Sequence, residues 1–426
     1  EGSTGQDKTT FVQLIALAGH EIDSLVTVYF NDEPVTLDGS GNVVSTPYAA
    51  TTVLSGVATA DGSGVAALPY TPVSGSVSAY TGSSGGPEGD LIQVSVSVSG
   101  NTVTTSPGAT VQYQYVSADG SRANVRLVNA TGVADPRVVA LFPSSWTAAH
   151  QARGVAYLVC EYSYDETAFP TGLPAVTAVI KGAKVYDPRT GLTVWSDNPA
   201  LHIRHVYQHA QFGKATVSAE EDARIIDAAN ACDSSTGYVV DGVTTTVALY
   251  RSSTVIPFGT AAKDALDDLA QAMAGSWAFA SGSLYLKAGV WTGSVMSLTD
   301  SDLAVIVREG AQESMRPIQI ATHRERAEKF NTVNVQIWDA AQGYKQVALT
   351  PLVSSSLVTR DGAALAQPIT YAAISYAPQA LHVAGVMMRD ARDPLTVVLP
   401  VKLRAYPVEL FDIVDITLAR YGWASK

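Results

Sequence analysis

Three histidines, His202, His205 and His209, stand at i, i+3 and i+7, a spacing that puts three imidazoles on one helical face. Such a stripe offers metal ligands, but zinc sites usually recruit at least one ligand from a separate element. The stripe therefore reads as a solvated or subunit-facing helix face, and no metal is expected on it. Acid pairs at Asp165-Glu166, Glu220-Glu221-Asp222 and Asp267-Asp268 have the residue types of a glycosidase. Such enzymes hold two carboxyls across a sugar from separate elements, whereas these are neighbours on one turn and read as solvated charges. Gly82 to Gly86 links no strand to a helix, so its glycines do not mark a phosphate loop. Arg324, Arg326 and Lys329 beside Phe330 make a small basic cluster that reads as a surface face. No HExxH, Walker or GxGxxG pattern occurs, and there is no GxSxG elbow, since Gly82-Ser83-Ser84-Gly85-Gly86 has that spelling but links no strand to a helix. The expectation is a protein that is not an enzyme, with no catalytic residues and no cofactor.

The densest segment is KVYDPRTGLTVWSDNPALHI, Lys184 to Ile203. Asp187-Pro188-Arg189-Thr190-Gly191 predicts a turn, because proline presets φ near −65° and glycine takes the left-handed position that closes it. Trp195 follows on a short strand. Asp197 or Asn198 can accept a free helical N–H, and Pro199 suits the first helical position. Turn, strand, cap and helix are architecture, so Asp187, Pro188, Arg189, Gly191, Trp195, Asp197, Asn198 and Pro199 are taken as a structural motif, with Trp195 packed by the turn and the cap.

The elements around this motif are those of a long, apolar chain. Of 426 residues, 46% are hydrophobic and 15% charged, which supplies packed cores and argues against disorder. Lysine and arginine number 27 against 39 acids, a formal charge of −12, the wrong sign for capturing nucleic acid or an anionic membrane. Two cysteines, Cys160 and Cys232, make neither a four-cysteine zinc site nor a disulfide framework, and Cys160 in GVAYLVCEY reads as a buried small hydrophobe. No run of 18 or more apolar residues occurs, so no transmembrane helix is expected. FDIVDITLARYGWASK breaks off within a strand-turn pattern, as if the chain continued.

Alternating runs outnumber helical ones and predict a β-rich α+β multidomain fold. Residues 1–44 and 137–213 read as one split β domain, and 45–136, rich in Ser, Thr and Gly, as a β-rich insertion. Residues 214–300 read as a small α/β module. In it Ser218 and Glu221 have capping-box spacing, Ile225, Ile226 and Ala229 share a face, and Thr260 is placed to cap a second helix with the stripe Ala262, Leu266, Leu269 and Met273 and a stop at Gly275. Residues 301–426 read as a second β domain with one helix, started near Pro378, faced by Leu381, Val386 and Met387 and ended by Pro394. VTVYFNDEPVTLDG reads as an alternating strand that turns at Asp38-Gly39.

KVYDPRTGLTVWSDNPA resembles the signature of the central tail-tip (hub) attachment proteins of lambda-like siphophages. LIALAGHEIDSLVTVYFNDEPV, SSWTAAHQARGVAYLVCEYSYDETAFPTGLPAVTAVIKG, IIDAANACD, RAEKFNTVNVQIWD and ARDPLTVVLPVKL extend the resemblance over most of 11–44 and 137–418. The 45–136 stretch and the histidine-bearing helix depart from the family pattern. The resemblance implies a virion structural protein at the distal end of the phage tail. It would form a homotrimer that joins the distal tail protein and other tail-tip proteins to the central fibre, close to the tape-measure protein. It would take part in host attachment and DNA ejection, meeting the host surface receptor through parts outside this chain, with no specific nucleic-acid binding. A tail-borne adhesin module and a cell-wall hydrolase are the alternatives.

Overall fold

A computed structural model describes residues 2–4, 10–49, 53–68, 75–82, 91–100, 102–116, 121–163, 165–240, 243–304, 306–309, 312–315, 317–322, 328–392 and 395–424. The fold is α+β and rich in strand, 37% against 22% helix, with the strands divided among many small sheets. Two compact units meet in the sequence between Ala183 and Lys184. That boundary falls inside the 137–213 stretch expected to form one domain.

The first unit is organised by the strand Ala156–Ser163, whose AYLVCEYS run is buried at six of eight positions. A central strand covered on both faces needs such a near-continuous apolar run. Leu158, Cys160 and Tyr162 enter one core with Val28, Phe30 and Val35, while Tyr157 and Val159 enter a second on the opposite face with Val12 and Val138. Each fully buried side chain of this size contributes about 1.5–3 kcal/mol. Thr10–Ala18 and Ala123–Asn129 flank the central strand, both antiparallel. The helix α1, Pro136–Leu141, is capped by Asp135 and buries Val138 in the second core. Cys160 is the buried hydrophobe expected, and burial raises its thiol pKa to about 11.

Residues 53–116 form a body with its own core of Ala60, Ala66, Leu68, Ala79, Val103, Ala109, Val111 and Tyr113. A three-stranded sheet (Val65–Ala67, Thr102–Thr104, Ser97–Ser99) and a four-stranded one (Val53–Thr59, Thr110–Val116, Ser78–Gly82, Leu91–Val94) build it. The insertion is shorter than the 45–136 expected. Ala123–Asn129 belongs to the main sheet through its pairing with Ala156–Ser163, and Val43 and Tyr48 belong to the main core. Entry and exit are tied together, since Arg122 N–H donates to the Tyr48 carbonyl at 2.8 Å. The GSSGGPEGD tip expected to be flexible lies, from 83 to 90, outside the described residues.

The strand read through VTVYFNDEPV is instead a hairpin. Asn31 and Asp32 take φ of 52° and 68°, the two left-handed positions of a type I′ turn, between Ser24–Phe30 and Glu33–Val35. The expected turn at Asp38 is present and occurs twice. Asp38 Oδ1 accepts from the backbone N–H of Ser40 and Asn42, as Asp61 Oδ1 does from Ser63 and Val65. Both loops carry the sequence Asp-Gly-Ser-Gly, with the second glycine at φ +83° in Gly41 and +79° in Gly64.

The second unit has one large core. It joins Val185, the helices α2 (Pro199–Gln208), α3 (Ala219–Asp233) and α4 (Ala262–Ala272), and the hairpin Ser276–Ala280 with Ser283–Lys287. It also takes in the strand Thr332–Asp339, which pairs in parallel with Ala366–Tyr371, and the last helix, while α5 (Ser355–Asp361) adds Leu357 at the margin. The last helix, α6 (Ala377–Arg392), buries Ala380, Val383, Ala384 and Met388, a smaller-residue face than the Leu381, Val386 and Met387 expected. Pro394, expected to end α6, lies outside the described residues. The 214–300 stretch is therefore continuous with 332–388 rather than a separate module, and Met296–Thr299 pairs in parallel with Val414–Thr417. The Ser218–Glu221 capping box forms in full. Thr260 does not cap α4, whose first flanking residue is Ala261 without a side-chain bond.

Candidate functional site

The 184–203 segment folds as an antiparallel hairpin, Lys184–Asp187 against Leu192–Trp195, leading into α2. At its turn the Asp187 carbonyl accepts from Gly191 N–H at 2.8 Å and Thr190 N–H at 3.2 Å, and Gly191 takes φ +72°. The Asp187 carboxylate accepts from Arg189 N–H at 2.9 Å and from the Arg189 guanidinium at 2.8 Å, and these bonds hold its pKa below the usual range. Arg189 reaches on to Asp233 at 2.8 Å and Asn230 at 3.2 Å, fastening the turn to the end of α3. Asp187 raises the Arg189 pKa in return, so the guanidinium stays charged.

Asn198 is the cap, and Asp197 is not. The Asn198 side-chain oxygen accepts from Ala200 N–H at 3.0 Å, its amide donates to the Ala229 carbonyl at 2.9 Å, and it is 1% exposed. Pro199 occupies the first helical turn. Asp197 acts through its backbone, its carbonyl accepting from Ser252 N–H at 2.7 Å, while its carboxylate lies 3.8 Å from Arg251. Trp195 is only half-buried. The hairpin residue that enters the core is Val185, opposite Val194 in the register, so the turn and cap secure Val185 and not the expected Trp195. Leu192 and Val194 remain exposed.

The histidine stripe divides. His202 is partly buried, with Nδ1 2.7 Å from Ser252 Oγ and Nε2 2.8 Å from the Ser196 carbonyl. A carbonyl only accepts, so Nε2 carries the hydrogen and Nδ1 accepts from the serine. Both ring nitrogens are occupied, which leaves neither for a metal, and burial lowers the His202 pKa. His205 and His209 stand ring to ring at 5.4 Å near the end of α2.

Each acid cluster has a member engaged within the fold. Asp165 accepts from Thr167 and Ala168 N–H and from Arg122. Asp222 pairs with Arg204, and Asp267 with Lys263 and Trp277. Glu221 Oε1 accepts from Leu284 N–H at 2.6 Å and Tyr207 Oη at 3.1 Å, and Oε2 from Ser218 N–H at 2.7 Å. Arg324 and Arg326 lie outside the described residues, as do Gly85 and Gly86. Sequence reasoning missed Ser252 and Gln379. Gln379 is 1% exposed; it accepts from Arg251 N–H and donates to the Arg251 and Ala272 carbonyls. A polar residue beside Pro378 in an apolar helix was its one local signal. Among the described residues, the arrangement builds turns, caps and cross-links.

No family model and no curated protein matches the chain. Among solved structures, a chain described as "Virion of native gene transfer agent (GTA) particle" aligns over 98% of this chain and 80% of its own, with 13% identity and a TM-score of 0.45.

Proposed function

We propose that the chain is a virion structural protein, the central hub at the distal end of a siphophage-like tail. In this reading it works as a homotrimer. It joins the distal tail protein and other tail-tip proteins to the central fibre, adjoins the tape-measure protein, and takes part in host attachment and DNA ejection without catalysis. The host receptor is met through parts outside this chain. One observation carries the reading: in the segment of strongest resemblance, the polar side chains of Asp187, Arg189 and Asn198 are all engaged in a turn, a cross-link to α3 and a helix cap. Chemistry-bearing residues held this way position surfaces. The test is co-assembly with the distal tail protein of the same particle, read by light scattering and by electron microscopy of labelled tails. A three-copy particle and label at the tail tip support the hub. A monomer that ignores the distal tail protein, or label elsewhere on the particle, overturns it.

A second reading, an adhesive insertion, rests on the 53–116 body. It has its own core and sheets and enters and leaves the first unit at one point, between Tyr48 and Arg122. Excising it should leave assembly intact and abolish adsorption if it is adhesive; unchanged adsorption removes that reading.

A further inference from the structure

Residues 395–424 of the second unit invert the usual order of burial. Of these 30 residues 19 are hydrophobic, against 46% of the whole chain, yet Leu418 alone among them is buried. None of them enters the large core of the unit. Backbone pairing and charges hold the stretch instead. Val414–Thr417 pairs in parallel with Met296–Thr299, Lys402 N–H donates to the Asp302 carbonyl, and Ala304 N–H donates to the Pro400 carbonyl. Lys402 Nζ donates to the Ser301 carbonyl at 2.7 Å, Arg404 pairs with Asp302 at 2.8 Å, and Arg420 with Asp300 at 3.1 Å. Glu409 accepts from Arg224 at both oxygens, 2.8 and 2.9 Å away, while Asp412 accepts from Glu409 N–H and Asp415 from Ser294 Oγ. The charged side chains are thus engaged within the chain, and the large apolar ones are left outward. Leu403 and Tyr406 are each 84% exposed, with Val398 at 55%, Leu410 at 47% and Val401 at 37%.

We propose that this arm, residues 396–410, is the surface through which one copy of the chain binds the next. The inference rests on the homotrimer of the proposed hub and assigns its contact. An exposed apolar surface of this kind marks a binding site, and its area suits a second copy. Full burial covers about 60–120 Å² of an aliphatic side chain and about 200 Å² of a tyrosine, so the five outward residues offer on the order of 400 Å² of apolar surface. A standard interface takes about 800 Å² from each partner, a little over half of it apolar.

Charge points to the same occupant. Lys402, Arg404 and Arg420 balance Glu409, Asp412 and Asp415, so the net charge of −12 lies outside 395–424. Copies of an acidic chain repel over the rest of their surface, and they can meet where that charge is absent. A basic partner would call for unengaged acids, and an anionic lipid surface for unengaged cations. The six charges here already have partners within the chain, so covering Leu403 and Tyr406 leaves none of them without one.

Sedimentation equilibrium of the whole chain tests this, with Leu403→Asp and Tyr406→Asp beside wild type. Both side chains are exposed, so the variants should keep the fold, as circular dichroism and the melting temperature will show. Wild type should sediment as three copies, and each variant should raise the dissociation constant by about 30-fold or more, the effect of losing one central anchor. Val255→Asp, at an 88% exposed valine outside the arm, should leave that constant unchanged. Nitration of Tyr406 in wild type needs no variant, and its rate should rise as dilution separates the copies. Three copies that persist in both arm variants, or a Tyr406 that reacts equally in three copies and in one, overturn the contact and leave the homotrimer standing. Equal dissociation by Val255→Asp does the same. A wild type that stays a single copy, alone and with the distal tail protein, overturns contact and homotrimer together. If that single copy floats with phosphatidylcholine vesicles and Leu403→Asp does not, lipid is the occupant and the proposal fails.

Discussion

Gly41 and Val125 meet backbone to backbone. Val125 N–H donates to the Gly41 carbonyl at 2.7 Å, and a Cβ on Gly41 would stand 2.4 Å from the Val125 carbonyl oxygen. The twin loop repeats this, with Thr105 N–H on the Gly64 carbonyl and 2.3 Å left for a Cβ beside the Thr105 carbonyl. Gly191 shares the positive φ but has nothing within 4 Å of its Cβ position. Gly41→Ala should therefore cost about 2–5 kcal/mol, backbone strain plus overpacking. Gly191→Val should cost about 1–3 kcal/mol from strain alone. Denaturant titration distinguishes them; equal losses would mean that the close approach at Gly41 is relieved elsewhere.

Asn198→Ala removes a cap acceptor from Ala200 N–H and a donor from the Ala229 carbonyl at a site 1% exposed. The expected cost is about 1–3 kcal/mol. Asp197→Ala should change little, because Asp197 works through its carbonyl and its carboxylate contact with Arg251 is half exposed. Thermal melting of the two variants checks the assignment, and a larger loss at Asp197 would reverse it.

The cap was legible in the sequence because Asn-Pro before an apolar run is a local signal, and so was the Ser218–Glu221 box. What failed were features decided at a distance. Ala123–Asn129 has the composition of the insertion but pairs with Ala156–Ser163, and no local pattern announces a partner strand that far along the chain. Val185 and Trp195 stand opposite Val194 and Lys184 in one hairpin, and only the packing of α2 and α3 decides which side chain is covered. Asn31-Asp32 was passed over because alternation runs through it, although both residue types tolerate positive φ. At Thr260 the helix starts two residues later, which leaves the hydroxyl out of reach of the free N–H groups.

Glu221 offers a test of polar satisfaction. Burial raises its pKa, but the donors from Ser218, Leu284 and Tyr207 outweigh that and leave it lowered. The carboxylate's contribution is present above the unfolded value of about 4.3 and is lost as pH falls below it. Glu221→Gln sets an amide nitrogen against backbone donors on one side or the other and should cost about 1–3 kcal/mol at neutral pH. The loss should shrink in acid, where wild type is also protonated. A loss that stays constant with pH would mean that Glu221 does not act as a carboxylate.

The His202, His205 and His209 stripe should hold no stoichiometric metal, because His202 uses both ring nitrogens within the fold. Elemental analysis after dialysis against zinc or nickel checks this. One equivalent retained by wild type and lost in His205→Ala would overturn it.

The last expectation concerns DNA. A hub at the tail tip must let DNA pass without holding it. Duplex DNA carries about one charge per 1.7 Å of axis, so clustered free cations would bind it by counterion release. The chain has 27 basic residues against 39 acids, and at least twelve of those cations face carboxylates within the fold. Several of these pairs are closely held: Arg392 with Asp361, whose pKa is lowered to about 2, and Arg204 with Asp222 at 2.7 Å. A cation paired in this way neutralises no phosphate unless its carboxylate is displaced. If the chain is the proposed hub, its surface turned toward the tube axis should be acidic or neutral, and the isolated chain should show no duplex binding by fluorescence anisotropy at about 0.15 M salt. Tight binding with a steep salt dependence, or an assembled trimer whose channel is lined by clustered arginine and lysine, would refute both the channel prediction and the charge argument behind it.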